Sequence, residues 1–401
     1  MILTVNPSKA VGEVVAPPSK SMAHRALICG AQSHKTVIKN IAFSKDIEAT
    51  LSCLERLGAN VSVEESVVTI GGLKLSEIND NSVIDCNESG STLRFLLPIC
   101  MACQKTVTLK GAPRLFERPL TVFENIAKAQ NILFKKSENS VTVCGSFSSG
   151  EYTVPGNISS QFISGLLFLL PLLEGDSKIT VTEGFESASY IDLTIACLKD
   201  FGIEVYRKDN SFGIKGKSRY SDTCYTVEGD CSNAAFLEAF NYLGGNVTVN
   251  GLNPKTLQGD RVYKEIFEGL KNGKKQFDLS DCPDLAPVAF AMAAVYGGAE
   301  FTGTKRLKIK ESDRAEVMKQ ELAKFGIEAV VFENSVIVKN GRIKKPNTPL
   351  DSHNDHRIAM ALTLLLTITG GCIVNAEAVS KSYPDFYRVI GRIGIDLYET
   401  D

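Results

Sequence analysis

What the sequence has little of sets the first limits. Net charge is nearly absent: 44 Lys and Arg stand against 46 Asp and Glu, a formal balance of -2. Nothing therefore pulls the chain as a whole toward nucleic acid or anionic lipid, and any anion site must be a local gathering of cations. Long apolar runs are missing too. "FISGLLFLLPLL" and "IAMALTLLLTITGG" are broken by Pro, Gly or Thr, fall short of a membrane span, and read as buried helices. The opening "MILTVNPSKAVGEVVAPPSKS" has no basic region followed by a continuous apolar core, so no leader peptide is expected and a cytoplasmic location is. Eleven cysteines follow no framework spacing. The one CxxC, Cys100 to Cys103, has no second pair to complete a zinc site, so buried free thiols in a reducing compartment are expected. His353 and His356 have HxxH spacing but no third ligand motif. No Walker loop is present either, since "GIKGKS" is two residues short of its spacing, which disfavours a nucleoside triphosphate.

What is there is a repeat. At 401 residues the chain exceeds what one core normally supports, so two domains are expected. Six segments open with short polar residues and run into an apolar helix, starting near Ser19, Ser89, Ser159, Ser232, Asp284 and Asp355. Six amphipathic helices fall between them, such as "DIEATLSCLERLGANV" and "DRAEVMKQELAKFGIEAV", with apolar spacing at i, i+3, i+4 and i+7 and a Gly stop after several. Adding the β runs gives strand, apolar helix, strand, amphipathic helix and two strands, six times over, or three such units in each of two α/β domains. "PP" at 17 and 18 and "EGDCSN" near 228 to 233 are the best crossover points. They divide the chain into a discontinuous domain of 1–17 plus 230–401 and a continuous one of 18–229.

Chemistry gathers where helices begin. A Ser or Asn there is ordinarily an N-cap, and Ser232 and Asn233 read as no more than that. "PSKSMAHRA", however, sets Lys20, Ser21 and Arg25 in the first turns of a helix, where the macrodipole disfavours cations unless an anion binds beside them. "ESGSTLR" supplies Gly90 and Arg94, "SSQ" two hydroxyls and an amide, "NDHR" His356 and Arg357, and "KIKESDRAE" Lys310, Glu311 and Arg314. If equivalent ends of the repeats face one cleft, these cations converge on one polyanion site. His24 and His34 read as surface residues or neighbours of that site.

In this order, "PSKSMAHRA", "ESGSTLRFL", "GAPRLFERPL", "SSQF", "ESASYID", "PDLAP", "IKESDR", "NDHR" and "SKSYPDF" span essentially the whole chain, and the pattern resembles the enolpyruvyl transferases, most closely the branch that acts on shikimate 3-phosphate. The resemblance implies two similar domains, each of three βαβαββ units in an inside-out α/β barrel or prism. It implies transfer of the enolpyruvyl group of phosphoenolpyruvate to the 5-hydroxyl of shikimate 3-phosphate, with release of phosphate, and no metal or organic cofactor. It assigns Lys20, Ser21, Arg25, Ser159, Ser160, Gln161, Ser187, Tyr190, Asp284 and Lys310 to shikimate 3-phosphate. Lys20, Gly90, Arg118, Gln161, Arg314, His356, Arg357 and Lys381 go to phosphoenolpyruvate. Asp284, Glu311 and Lys20 are the expected proton-moving groups. A monomer with no nucleic-acid or membrane partner is expected. The branch acting on UDP-N-acetylglucosamine shares the fold but typically carries a reactive loop cysteine, and "GAPRLFERPL" has none. A non-catalytic phospholigand-binding module would not need both Asp284 and Glu311. "SASY" departs from the family in lacking a proline before Tyr190, and Arg306 stands where some members carry Asn.

Overall fold

A computed structural model describes residues 1–400. The chain divides into two compact units, one continuous over Pro18–Glu228 and the other made of Met1–Pro17 with the chain from Gly229 onward. Gly229 falls one residue outside the stretch expected from sequence. Its carbonyl accepts from Gln258 Nε2 at 2.8 Å, and a Cβ there would sit 2.4 Å from the Gly251 oxygen, so its packing belongs to the discontinuous unit.

The continuous unit contains α1 (Lys20–Gln32), α2 (Lys45–Arg56), α3 (Gly90–Ala102), the short α4 (Pro113–Glu117), α5 (Thr121–Ala129), α6 (Ser160–Leu169) and α7 (Ala188–Asp200). Three four-stranded sheets accompany them, all with one topology. Ser82–Asp85 runs parallel to Val107–Lys110, which pairs antiparallel with Ser140–Cys144, which pairs antiparallel with Leu133–Lys136. Glu151–Pro155, Ser177–Thr182, Ser211–Ile214 and Val205–Lys208 repeat this order. In the remaining sheet the outer parallel strand is Cys224–Thr226, from the far end of the unit, laid beside Thr36–Lys39.

The discontinuous unit holds α8 (Cys231–Tyr242), α9 (Tyr263–Lys271), α10 (Ala286–Val295), α11 (Arg314–Lys324), α12 (His356–Thr369) and α13 (Phe386–Arg392). Gln276–Asp278, Ala299–Thr302, Ser335–Val338 and Ala329–Val331 form one sheet of the same order. A second places Ile2–Val5 between Gly371–Val374 and Leu397–Thr400. Val11–Val15 pairs with Asn246–Asn250 in a two-stranded sheet. The six-fold βαβαββ reading is thus realised in five four-stranded sheets and one reduced one.

The apolar helices α1, α3, α6, α8, α10 and α12 are buried along almost their whole length, and each unit has its own apolar core around its three. A helix apolar on all sides is stable only when surrounded, which is why these six lie inside and the amphipathic six do not. The α8 cap departs from expectation: Asp230, and not Ser232 or Asn233, accepts the N-terminal amide, from Asn233 N at 2.8 Å. Ser232 lies inside the helix and instead hydrogen-bonds the Asp260 carboxylate.

Candidate functional site

In the continuous unit, the polar openings of four helices are tied together by hydrogen bonds. Lys20 opens α1, and its ammonium meets Asp46 of α2 at 2.7 Å. Arg25, one turn on and buried, donates to Thr194 Oγ1 at 2.8 Å and to the carbonyls of Ser21 and Tyr190 at 2.6 and 2.8 Å. Burial brings its pKa down to about 10, against the pull of nearby Cys197 and Tyr190, so it stays charged at neutral pH. Ser89 caps α3 through Thr92 N. A Cβ on the next residue, Gly90, would fall 2.7 Å from Arg118 NH1, so the guanidinium lies directly against the start of this helix. Arg94, 1% exposed, donates to Gln161 Oε1 at 2.8 Å and to the Pro119 carbonyl at 3.1 Å, while Gln161 Nε2 donates to Ser91 at 3.0 Å. Both ends of the Gln161 amide are therefore held. Ser159 caps α6, and Ser160 is the buried first residue of that helix. Ser187 starts α7 with φ +57°, a conformation a β-carbon disfavours and which turns the chain sharply into Tyr190.

In the discontinuous unit the charges form a closed network. Asp284 sits in a single 3₁₀ turn, Pro283–Leu285, ahead of α10. Its carboxylate receives Lys310 Nζ at 3.1 Å, Arg314 NH1 at 2.8 Å and Arg357 NH2 at 3.1 Å. Burial by itself would raise this carboxyl, but Arg357, Lys310 and Arg314 outweigh it and hold it well below the ordinary range, so it is an anion at neutral pH. Arg314, 1% exposed, also reaches Glu311 at 2.8 Å and Asp355 at 2.9 Å. Its planar fork serves three carboxylates at once, a geometry lysine cannot copy. Asp355 in turn caps α12 through Arg357 N and accepts Ser312 Oγ at 3.0 Å. Lys310 is pushed down by burial, with Asp284 opposing. His356 is buried, its Nδ1 3.9 Å from Asp355, and Lys381 donates to the Asn354 carbonyl at 2.6 Å. Behind this group lies Asp260, whose pKa is raised to about 6 by burial and then by the charge of Asp284.

The structure thus brings Lys20, Ser21, Arg25, Tyr190, Gly90, Arg118 and Gln161 into connected helix openings of one unit, and Asp284, Lys310, Glu311, Arg314 and Arg357 into one ion network of the other. It also shows what sequence reading passed over. Asp46, Asp355 and Ser312 are partners of the flagged cations, and Arg94, first noted only as part of a helix opening, holds Gln161. Asp355 carried a signal in its place just ahead of an apolar helix, but Asp46 carried none. His24 is 1% exposed and so not a surface residue, while His34 is exposed. Eight of the cysteines are buried, as read, but Cys224 is exposed and Cys144 and Cys372 are partly so; all eleven are free. Among the described residues no cluster of three or more His, Cys, Asp or Glu could hold a metal ion, and no helix is long and apolar enough to cross a membrane.

Two curated 3-phosphoshikimate 1-carboxyvinyltransferases are each 40% identical to the chain: that of Clostridium novyi covers 98% of this chain and 97% of its own length, that of Clostridium acetobutylicum 98% of both. A solved structure of EPSP synthase from Acinetobacter baumannii superposes with a TM-score of 0.78 at 23% identity, over 99% of this chain and 100% of that one, which establishes the shared fold. The family model for EPSP synthase (3-phosphoshikimate 1-carboxyvinyltransferase) matches residues 5–390, and with relatives of this similarity along the full length, the chain belongs to the EPSP synthase family.

Proposed function

We propose that this chain transfers the enolpyruvyl group of phosphoenolpyruvate to the 5-hydroxyl of shikimate 3-phosphate, releasing phosphate, and that the two groups of residues above act on the same pair of substrates. The observation that carries the residue assignment is the grip of Lys310, Arg314 and Arg357 on Asp284, with Glu311 on the same arginine. Asp284 is held ionised, and Glu311 stands beside it, among cations that a phosphate or carboxylate ligand can recruit, which suits a reaction that moves two protons around a polyanion.

In this reading the hydroxyl oxygen attacks C2 of phosphoenolpyruvate as its proton passes to Asp284, and the C2–C3 π electrons take a proton from Glu311 with help from Lys20. The tetrahedral adduct then returns the C3 proton, the double bond reforms, and the C2–O bond to phosphate breaks. Asp284 in its free state is too stabilised as an anion to be a strong base; ligand anions that draw Arg314 and Arg357 toward themselves would raise its proton affinity when it is needed. Ser21, Arg25, Ser159, Ser160, Gln161, Ser187, Tyr190, Asp284 and Lys310 hold shikimate 3-phosphate. Gly90, Arg118, Gln161, Arg314, His356, Arg357 and Lys381 hold phosphoenolpyruvate, and Lys20 touches both. Work as a cytoplasmic monomer belongs to the same proposal, and the free state of all eleven cysteines fits a reducing compartment. The deciding assay follows phosphate release from phosphoenolpyruvate with either shikimate 3-phosphate or UDP-N-acetylglucosamine as acceptor. Release with the first alone is expected, and release with the second alone would overturn the proposal.

A further inference from the structure

His24 has no place in the mechanism above, yet it is 1% exposed in the turn between Lys20 and Arg25. Its Nδ1 lies 2.8 Å from Thr50 Oγ1 of α2. Thr50 Oγ1 reaches the Asp46 carbonyl at 3.2 Å and Thr92 Oγ1 of α3 at 2.6 Å, and Thr92 Oγ1 donates to Ser89 Oγ at 2.7 Å. A carbonyl only accepts, so the single hydroxyl hydrogen of Thr50 is committed to Asp46 or to Thr92. None remains for the imidazole, so Nδ1 must be the donor. Nε2 is then the bare nitrogen, which agrees with its burial away from any hydrogen-bond partner, since orphaned buried N–H groups are rarer than orphaned acceptors. Burial, with Lys20 and Arg25 adding to it, keeps the ring neutral.

We propose that His24, as the Nδ1–H tautomer, is a positioning residue for the phosphoenolpyruvate side of the site: its N–H orients Thr50, which fixes the start of α2 and the cap of α3. At the start of α2, Asp46 holds Lys20. Beyond the Ser89 cap comes Gly90, against which Arg118 rests. The chain of bonds leads to Gly90 and Arg118, which belong to the phosphoenolpyruvate set alone, and to Lys20, which touches both substrates; it does not run to Ser159, Ser160 or Ser187, so loss of the imidazole should weigh more on phosphoenolpyruvate than on shikimate 3-phosphate. The inference rests on the function proposed above for its kinetic test, but not for its spectroscopic one.

In 15N-histidine-labelled protein, with four histidines to assign by difference from His24→Asn, the His24 ring should show a protonated Nδ1 and an unprotonated Nε2. The opposite tautomer, or an imidazolium at neutral pH, overturns the proposal whether or not the enzyme turns over these substrates. In kinetics, His24→Leu should raise KM for phosphoenolpyruvate about tenfold, the worth of one buried hydrogen bond, while shikimate 3-phosphate binding stays within about twofold and reports that the variant is folded. His24→Asn, whose side-chain amide N–H can stand where Nδ1–H stood, should recover KM to within about threefold of wild type. Equal loss for both substrates, or no recovery with Asn, would overturn it.

Discussion

At the residue scale, Arg314 joins three carboxylates of the site. Replacing it by Lys keeps the charge but takes the guanidinium hydrogen bond away from at least two of Asp284, Glu311 and Asp355, in a place that is almost fully buried. Breaking buried pairs of this kind costs about 3 kcal/mol. Arg314→Lys is therefore expected to lower the thermal midpoint and to cut kcat/KM by about a hundredfold or more, readable by scanning calorimetry and the phosphate-release assay. Asp260 gives a pH prediction of definite sign. Its folded pKa, about 6, lies above its ordinary 3.8. The folded state therefore holds the proton more tightly, and this group's contribution to stability is present in acid and lost as pH rises from about 4 to about 6. Relative to wild type, Asp260→Asn should gain stability over that interval in urea titrations; a difference that does not change with pH would show that Asp260 does not titrate there. Such residues divide sharply in legibility. Lys20, Lys310, Arg314 and Arg357 stand out in the sequence because cations at helix starts oppose the dipole, and Arg118 through the family resemblance. Asp46 does not, and Asp355 shows only as a helix start, because nothing in one dimension says that they meet cations 26 and 41 residues away.

At the element scale, periodicity makes the six apolar and six amphipathic helices plain, because a helix apolar on every side and one apolar on a single stripe write different patterns. The short α4 and the 3₁₀ turn bearing Asp284 are too brief for any period, and the capping role of Asp230 was hidden by Ser232 and Asn233 close behind it. Packing between helices is equally invisible, and α3 against α6 is the telling case. Pro98 within α3 has no N–H to give the Arg94 carbonyl four residues back. It is at that carbonyl that α6 comes close, for a Cβ on Gly165 would lie 2.3 Å from the Arg94 oxygen and 3.3 Å from both Pro98 and Phe123. Gly165→Ala must push the two helices apart, at a cost of about 2 kcal/mol. Arg94 and Gln161 ride on these helices, so turnover should fall with stability. An alanine variant with an unchanged thermal midpoint would show that the contact yields more easily than its geometry implies.

At the scale of the whole molecule, the doubled architecture and the two crossover points were legible from the repeat and its Pro and Gly-Asp interruptions, but the pairing of strands distant in the chain was only half visible. Ile2–Val5 and Val11–Val15 lie in sheets of the discontinuous unit, as the repeat phase hinted. The return of Cys224–Thr226, from the far end of the continuous unit, to complete that unit's first sheet left no mark in the pattern. The continuous unit has its own core and all its strands within Pro18–Glu228. A fragment of residues 18–228 is therefore expected to melt cooperatively on its own, whereas 229–401 without the first 17 residues should not, and adding a peptide of 1–17 should restore part of its transition; circular dichroism on the three samples decides it.

That arrangement also dictates an order of events on the ribosome. Strand Ile2–Val5 is made long before its neighbours Gly371–Val374 and Leu397–Thr400, so it must wait for them while the intervening lobe is already free to fold. This apolar segment stays unpaired for as long as the residues between it and its partners take to be made, and there a chaperone that captures emerging hydrophobic segments would have a long opportunity.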